Sequence, residues 1–242
     1  MKWRDGKLVG GDSPSEGRGL FETMRARDGE LPLWGRHLAR LSASAARWGI
    51  PFDPPDDLRA AARSLLRRNG HEDGALRLLL LEQGGLELMT RSAAPAPSVV
   101  RLLPTLCRRR ADDPPPDLKA QPRTFYSEVL AEAQDGGADD GIVLDQRGFA
   151  LETALGNLWL LLGGTWVTPP ADGRILPGIA RGILLERARE RGVPAAERPC
   201  DLSDLHRADA LAVSNALHGP RAAALLPGEA KTDSPLRALW PI

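Results

Sequence analysis

Four lysines stand against 28 arginines in this 242-residue chain, and only Lys119 lies near its middle; the others are Lys2, Lys7 and Lys231. Arginine replaces lysine wherever a bare positive charge is wanted, but its guanidinium stays protonated above about pH 12 and cannot act as an amine nucleophile. The chemistry particular to a lone internal lysine is an imine with an aldehyde cofactor, which needs the unprotonated amine. Lowering a lysine pKa from about 10.4 to about 7.5 costs roughly 4 kcal/mol of electrostatic work, which a dry, cationic pocket can supply. A surface lysine is the plain alternative, and an arginine- and alanine-rich composition accounts for part of the scarcity without any chemistry.

Further groups could serve such a cofactor. A pyridine ring used as an electron sink must keep its nitrogen protonated, and a buried carboxylate does this through a charge-assisted hydrogen bond. Glu152, closing the run Phe149-Ala150-Leu151, is a candidate, although a solvated glutamate would be ordinary there. In Leu176-Pro177-Gly178-Ile179-Ala180-Arg181, a proline and a glycine directly precede a helical pattern, so free N–H groups and the positive end of the helix dipole converge on one anion site. The same pair can also simply turn a corner. Arg40 offers a balancing cation unless a neighbouring carboxylate takes it, and Ser214-Asn215-Ala216 adds hydroxyl, amide and backbone donors.

The elements that would position these groups follow from periodicity. Lys7 to Val9 and Leu20 to Ala26 are predicted strands, with a hairpin turn at Arg27-Asp28-Gly29-Glu30. From Arg36 to Trp48, Leu38, Leu41, Ala45 and Trp48 share one helical stripe, edged by His37, Arg40 and Ser44 and stopped by Gly49 and Pro51. A second helix spans about Pro55 to Arg68, followed by strands at Ala75 to Leu81, Leu86 to Thr90 and Val99 to Leu103. Residues 108–117, Arg-Arg-Arg-Ala-Asp-Asp-Pro-Pro-Pro-Asp, can form neither helix nor central strand and are expected to be an exposed interdomain connector. Beyond Lys119 come a helix from about Phe125 to Gln134, strands at Gly141 to Leu144, Phe149 to Glu152, Leu158 to Leu162 and Thr165 to Val167, and a helix from Ile179 to Arg191. A short helix at Asp204 to Arg207 and strands at Ala210 to Val213 and Ala222 to Leu226 complete the pattern.

Composition narrows the partners. With 32 basic and 32 acidic residues the formal charge is zero, which leaves no excess field for nucleic acid or an anionic membrane. Cys107 and Cys200 have no metal-ligand spacing, and no apolar run approaches the roughly 18 residues that span a bilayer. A cytoplasmic protein acting on a small molecule, with no metal, is the expectation.

At this point the chain resembles the class IV aminotransferases, the pyridoxal phosphate family that includes branched-chain aminotransferases, D-amino acid aminotransferases and 4-amino-4-deoxychorismate lyase. The landmarks occur in order from about Gly17 to Leu226: Gly19-Leu20-Phe21-Glu22-Thr23-Met24-Arg25, His37-Leu38-Ala39-Arg40-Leu41, Lys119, Gly148 to Glu152 with Asn157-Leu158-Trp159, Thr168-Pro169-Pro170, Leu176 to Arg181, Ala208-Asp209 and Ser214-Asn215-Ala216-Leu217. Each is loose alone; in register they are specific.

The resemblance implies an α+β, two-domain fold-type IV enzyme like the D-amino acid aminotransferases. It would have a small α+β domain at 1–107, the connector at 108–117 and a larger pseudobarrel domain at 118–242, with pyridoxal 5'-phosphate in the cleft between domains and a homodimer as the assembly. Carried over by position, Lys119 is the Schiff-base lysine, Arg40 the phosphate-binding arginine and Glu152 the partner of the ring nitrogen. Ile179, Ala180, Ser214, Asn215 and Ala216 surround the phosphate. Thr23 handles a proton in catalysis, and Arg77 and Glu22 are the candidates on the substrate side; Arg77 could instead pair with Glu87 across its hairpin. Departures are Ala180 where the family often has threonine, Thr124 where many aminotransferases carry a tyrosine, and Glu16-Gly17-Arg18-Gly19 in a shortened N-terminal wall. Phe-Glu-Thr, Ser-Asn-Ala-Leu and Thr124 resemble the lyase branch, so release of pyruvate from 4-amino-4-deoxychorismate is the expected reaction. The alternatives are an aminotransferase of branched-chain or D-amino acids and a non-catalytic relative that binds the cofactor or a phosphate.

Overall fold

The computed structural model describes residues 1–11, 13–228 and 235–242; Lys231 lies outside the described residues. The chain divides into two compact units, 1–95 with 118–122, and 96–117 with 123–242.

The first unit contains β1 (Lys2–Arg4), β2 (Lys7–Val9), β3 (Gly19–Arg25), α1 (Trp34–Trp48), α2 (Leu58–Arg68), β4 (Gly74–Leu81) and β5 (Leu86–Ser92). The chain then leaves for β6 (Val99–Pro104) of the second unit and returns with β7 (Ala120–Gln121). The sheet order is β2-β1-β5-β4-β3-β7, antiparallel throughout. Side chains alternate across a strand, and β3 uses both faces. Leu20 and Met24 join the core with Leu41 and Ala45 of α1 and Leu65 and Leu66 of α2, whereas Phe21 packs with Leu79 and Met89 in a separate cluster. Helix α1 stops at Gly49, whose φ of 72° suits glycine and lets its N–H meet the carbonyls of Ala45 and Ala46. Arg27 to Glu30 forms the expected tight turn, with Asp28 and Gly29 at φ 50° and 73°, but it closes only an isolated bridge. The chain continues into α1 rather than a second strand, so no hairpin forms.

The second unit adds α3 (Thr124–Asp135), β8 (Asp140–Leu144), β9 (Phe149–Thr153), β10 (Asn157–Leu162), β11 (Thr165–Thr168), α4 (Ile179–Glu190), β12 (Ala195–Glu197), β13 (Cys200–Asp201), α5 (Leu202–Arg207), β14 (Ala210–Asn215) and β15 (Gly219–Leu225). Its nine-stranded sheet runs β12-β11-β10-β14-β15-β6-β8-β9-β13. Strands β12 and β13 occupy opposite margins yet are joined only by Arg198 and Pro199. Three peptide steps reach at most about 11 Å, whereas eight spacings across a flat sheet would be roughly 38 Å. The sheet must therefore curl, which gives the pseudobarrel character.

The units differ from the expected division at 1–107 and 118–242. Val99–Pro104 lies between β15 and β8 with parallel pairing on both sides, so it belongs to the second sheet. Ala120–Gln121 pairs with β3 and carries Lys119 into the first unit. The 108–117 segment is also less exposed than expected, because the Arg109 guanidinium stacks on Phe125 at 4.3 Å and Tyr126 at 4.8 Å.

Candidate functional site

Two sets of groups form, one in each unit. In the first, Lys119 leads into β7, and its carbonyl accepts the Phe21 N–H at 2.8 Å. Its Nζ lies 4.7 Å from the Phe21 ring centroid, and the Arg77 guanidinium lies 3.7 Å from the same ring. Thr23 sits opposite Arg77 in the β3–β4 ladder, so Phe21, Thr23 and Arg77 share one face of the sheet. Arg77 Nη2 donates to Gln121 Oε1 at 2.8 Å, and Gln121 Nε2 donates to the carbonyls of Ser15 and Gly17 at 3.1 and 3.0 Å. This ties the altered N-terminal wall to the residue two places beyond Lys119. Glu87, the alternative partner for Arg77, is instead bound by Lys2, Arg4 and the Ser15 backbone and hydroxyl.

Glu22 occupies the other face of β3. Its carboxylate is buried, accepting Arg40 Nε at 2.7 Å and Nη2 at 2.6 Å while His37 Nδ1 lies 2.7 Å away. Burial alone would raise its pKa, but the Arg40 charge and the hydrogen bonds from His37 and Arg40 outweigh it and hold the group at about 2. The His37 pKa is pushed down by burial, against the pull of Glu22, so the ring is neutral and donates from Nδ1. Glu22, expected on the substrate side, is instead the carboxylate that pairs with Arg40, the alternative weighed for that arginine, and it occupies the Arg40 Nε and Nη2 donors. Strand alternation is the reason, since it points residues 21 and 22 to opposite faces.

In the second unit, Glu152 is the buried penultimate residue of β9. Its Oε1 accepts the Tyr126 hydroxyl at 2.5 Å and its Oε2 accepts the Leu176 N–H at 3.1 Å. Burial raises its pKa to about 7, opposed by these two donors and by the charges of Arg109 and Arg123. Arg123 lies 4.1 Å over the Tyr126 ring and donates to the Ala154 carbonyl at 2.8 Å.

Leu176 is fixed at both polar ends, because its carbonyl accepts Asn157 Nδ2 at 3.0 Å. Two residues later Gly178 is the N-cap of α4, with the buried Ile179 and Ala180 in the helix's first turn. A Cβ on Gly178 would lie 1.8 Å from Asn157 Oδ1, so a side chain there would displace the Asn157 amide. Asn157 pairs with Ser214 across β10 and β14, which brings the end of β14 beside the helix start. Arg181, in the first turn of α4, anchors the Thr168-Pro169 loop through Thr168 Oγ1, the Pro169 carbonyl and Glu197.

The Asn215 and Ser214 side chains are engaged within the protein. Asn215 Nδ2 donates to the Leu155 carbonyl and its Oδ1 accepts the Leu217 and His218 N–H groups, while Ser214 Oγ accepts the Trp159 indole N–H at 3.0 Å. These two side chains are therefore held in the turn around Ala216. Sequence reasoning missed Tyr126, Arg109, Arg123 and Gln121. The available signal was that Tyr126 is the chain's only tyrosine, adjacent to the buried Phe125.

The profile of the class IV amino-transferases matches residues 19–225. The chain belongs to the class IV aminotransferase family. It is 30% identical over 218 residues to a Methanocaldococcus jannaschii protein provisionally named a branched-chain-amino-acid aminotransferase, covering 82% of this chain and 75% of that one. The 4-amino-4-deoxychorismate lyase of Pseudomonas aeruginosa superposes with a TM-score of 0.80 at 29% identity, over 99% of this chain and 96% of that one. The Escherichia coli branched-chain amino acid aminotransferase shares the fold at TM-score 0.86 and 22% identity, over 98% and 91% of the two chains. Class IV aminotransferases are pyridoxal phosphate enzymes. Each unit holds groups of the kind that cofactor uses: a lysine amine and a carboxylate-bound arginine in the first, and a buried carboxylate and a glycine-led helix start in the second. Among the described residues no helix is long and apolar enough to cross a membrane, and no cluster of side chains could hold a metal ion.

Proposed function

We propose that this class IV enzyme is a lyase that converts 4-amino-4-deoxychorismate to 4-aminobenzoate and pyruvate. The observation that carries this reading is a hydroxyl, Thr23, on the sheet face where Lys119 and Arg77 meet Phe21. When bound, pyridoxal 5'-phosphate supplies the covalent electron sink. Lys119 anchors the cofactor and its amine takes the proton from C4 of the substrate. Glu152 holds the proton on the ring nitrogen, Arg40 and the Ile179, Ala180 and Ala216 backbone bind the phosphate, and Arg77 takes a substrate carboxylate. As the C–O bond to the side chain breaks, Thr23 returns a proton to the methylene carbon of the departing group, giving pyruvate and an aromatic ring. We further infer a homodimer, as the family resemblance implies, and a cytoplasmic location, as the composition suggests.

The test is to incubate the cofactor-loaded protein with 4-amino-4-deoxychorismate and measure 4-aminobenzoate and pyruvate, with Lys119→Ala as control. Equimolar release that vanishes in the variant is expected. Aminotransferase action on branched-chain amino acids is the second reading, favoured by the names of the curated relatives. Full conversion of the cofactor to its amine form by leucine, glutamate or D-alanine, without release of 4-aminobenzoate from the lyase substrate, would establish transamination instead.

A further inference from the structure

Glu152 raises a problem that the proposed function leaves open. A carboxylate is useful to a ring N–H only when ionised and aimed, yet this one sits where burial favours the neutral form. Neutral and carrying its own proton, it would compete with the ring nitrogen as a donor. Something in the second unit must therefore favour the charged form and stop the carboxylate from rotating.

The geometry supplies that device. Tyr126 and Leu176 approach different oxygens of Glu152, at 2.5 and 3.1 Å. Each ionised carboxylate oxygen has two acceptor sites, so these bonds fix the group and leave lone pairs for another donor. The phenol is well placed as a permanent donor. Burial and the Glu152 charge push its pKa upward, and the Arg109 and Arg123 guanidinium groups lie 4.8 and 4.1 Å from its ring. Those two cations also act on Glu152, while Asp140 acts on Arg123. Arg109 Nη2 is buried without a hydrogen-bond partner among the described residues, so its charge is not cancelled by a direct ion pair at that atom.

We propose that Tyr126 is a positioning residue for the cofactor's ring: its hydroxyl, between Arg109 and Arg123, locks Glu152 in the ionised orientation that accepts the pyridine N–H. This rests on the reading of Glu152 as the ring-nitrogen partner. Position 126 is seven residues beyond Lys119, two beyond the threonine that stands where many aminotransferases have tyrosine. Tyr126 thus acts on the carboxylate, not on the ring hydroxyl.

Because Tyr126 is the only tyrosine, replacing all tyrosine with 3,5-difluorotyrosine changes one site, making a more acidic phenol and a stronger donor with almost no change in shape. Tyr126→Phe removes the donor. The experiment follows the Glu152 carboxyl by carbon-13 NMR against pH, on the full chain without and with pyridoxal 5'-phosphate, alongside cofactor affinity. The expected result is a Glu152 midpoint that rises by about one pH unit in Tyr126→Phe, a tenfold gain in proton affinity, and falls in the fluorinated protein. Cofactor affinity above neutral pH should fall in Tyr126→Phe and hold in the fluorinated protein. Midpoints that do not move, or move in the same direction, overturn the inference; the fluorinated protein keeps this decisive if the phenylalanine variant folds poorly. If the unmodified chain takes up no pyridoxal 5'-phosphate, the functional reading fails and this inference with it. Uptake with unmoved midpoints defeats this inference alone.

Discussion

Arg40 grips Glu22 through both its Nε and Nη2, at 2.7 and 2.6 Å, and His37 closes the group from the helix above. One strand residue and two residues of α1, one turn apart, thus form a buried unit that sets the direction of the arginine assigned to the phosphate. Glu22→Gln would leave Arg40 without its counter-charge and cost about 3 kcal/mol, the order of a broken buried pair. The sign of its pH dependence follows from a folded pKa of about 2 against the ordinary 4.5. The stabilisation is full above the ordinary value and disappears as pH falls through about 2. Denaturant unfolding at neutral pH and near pH 3 should show the variant's deficit shrinking in acid; an equal deficit at both would show that the charge pair is not its source.

Glu152 predicts the opposite limb. Its pKa, raised to about 7 from 4.5, gives a contribution present in full below the ordinary value and lost as pH rises through about 7. In cofactor-free protein, Glu152→Gln should remove that loss and gain about 3 kcal/mol at pH 8 relative to the unaltered chain, while weakening cofactor binding. Thermal unfolding at pH 5 and pH 8 checks it, and a variant with undiminished pH dependence would contradict it.

Gly178→Ala should weaken pyridoxal 5'-phosphate binding about tenfold, because the new methyl displaces the Asn157 amide and strands the Leu176 carbonyl at a cost of about 1–3 kcal/mol. Cofactor titration by fluorescence reads the effect. Unchanged affinity would mean that the helix start does not hold the phosphate.

Much of this was visible in local sequence. The α1 stripe, the Asp28-Gly29 turn and the Pro-Gly start of α4 are set by neighbours in sequence, and the structure has each within a few residues of its expected place. Other features depend on distant pairing. Val99–Pro104 has the same apolar pattern whichever sheet accepts it, and its placement between β6's neighbours β15 and β8 is fixed by strands more than 30 residues away in sequence. Two-residue β7 carries no periodicity, so the return of Lys119 to the first unit had no local signature. The role of Glu22 was hidden for a related reason: alternation shows that residues 21 and 22 face opposite ways, but only the packing of α1 shows which face holds Arg40.

Thr23→Val keeps the branched shape and removes the hydroxyl. The lyase reading predicts a fall in kcat of about a hundredfold with KM and cofactor affinity little changed, as for loss of a proton-transfer group. Steady-state assay of pyruvate release measures the split; a rise in KM with kcat intact would place Thr23 in substrate binding instead.

The most direct test of the account is to reduce the cofactor-loaded protein with borohydride, digest it and map the modified peptide. The account predicts a pyridoxyl group on Lys119 alone, in stoichiometric yield and absent from Lys119→Ala. A pyridoxyl group on another side chain, or on none, would contradict it.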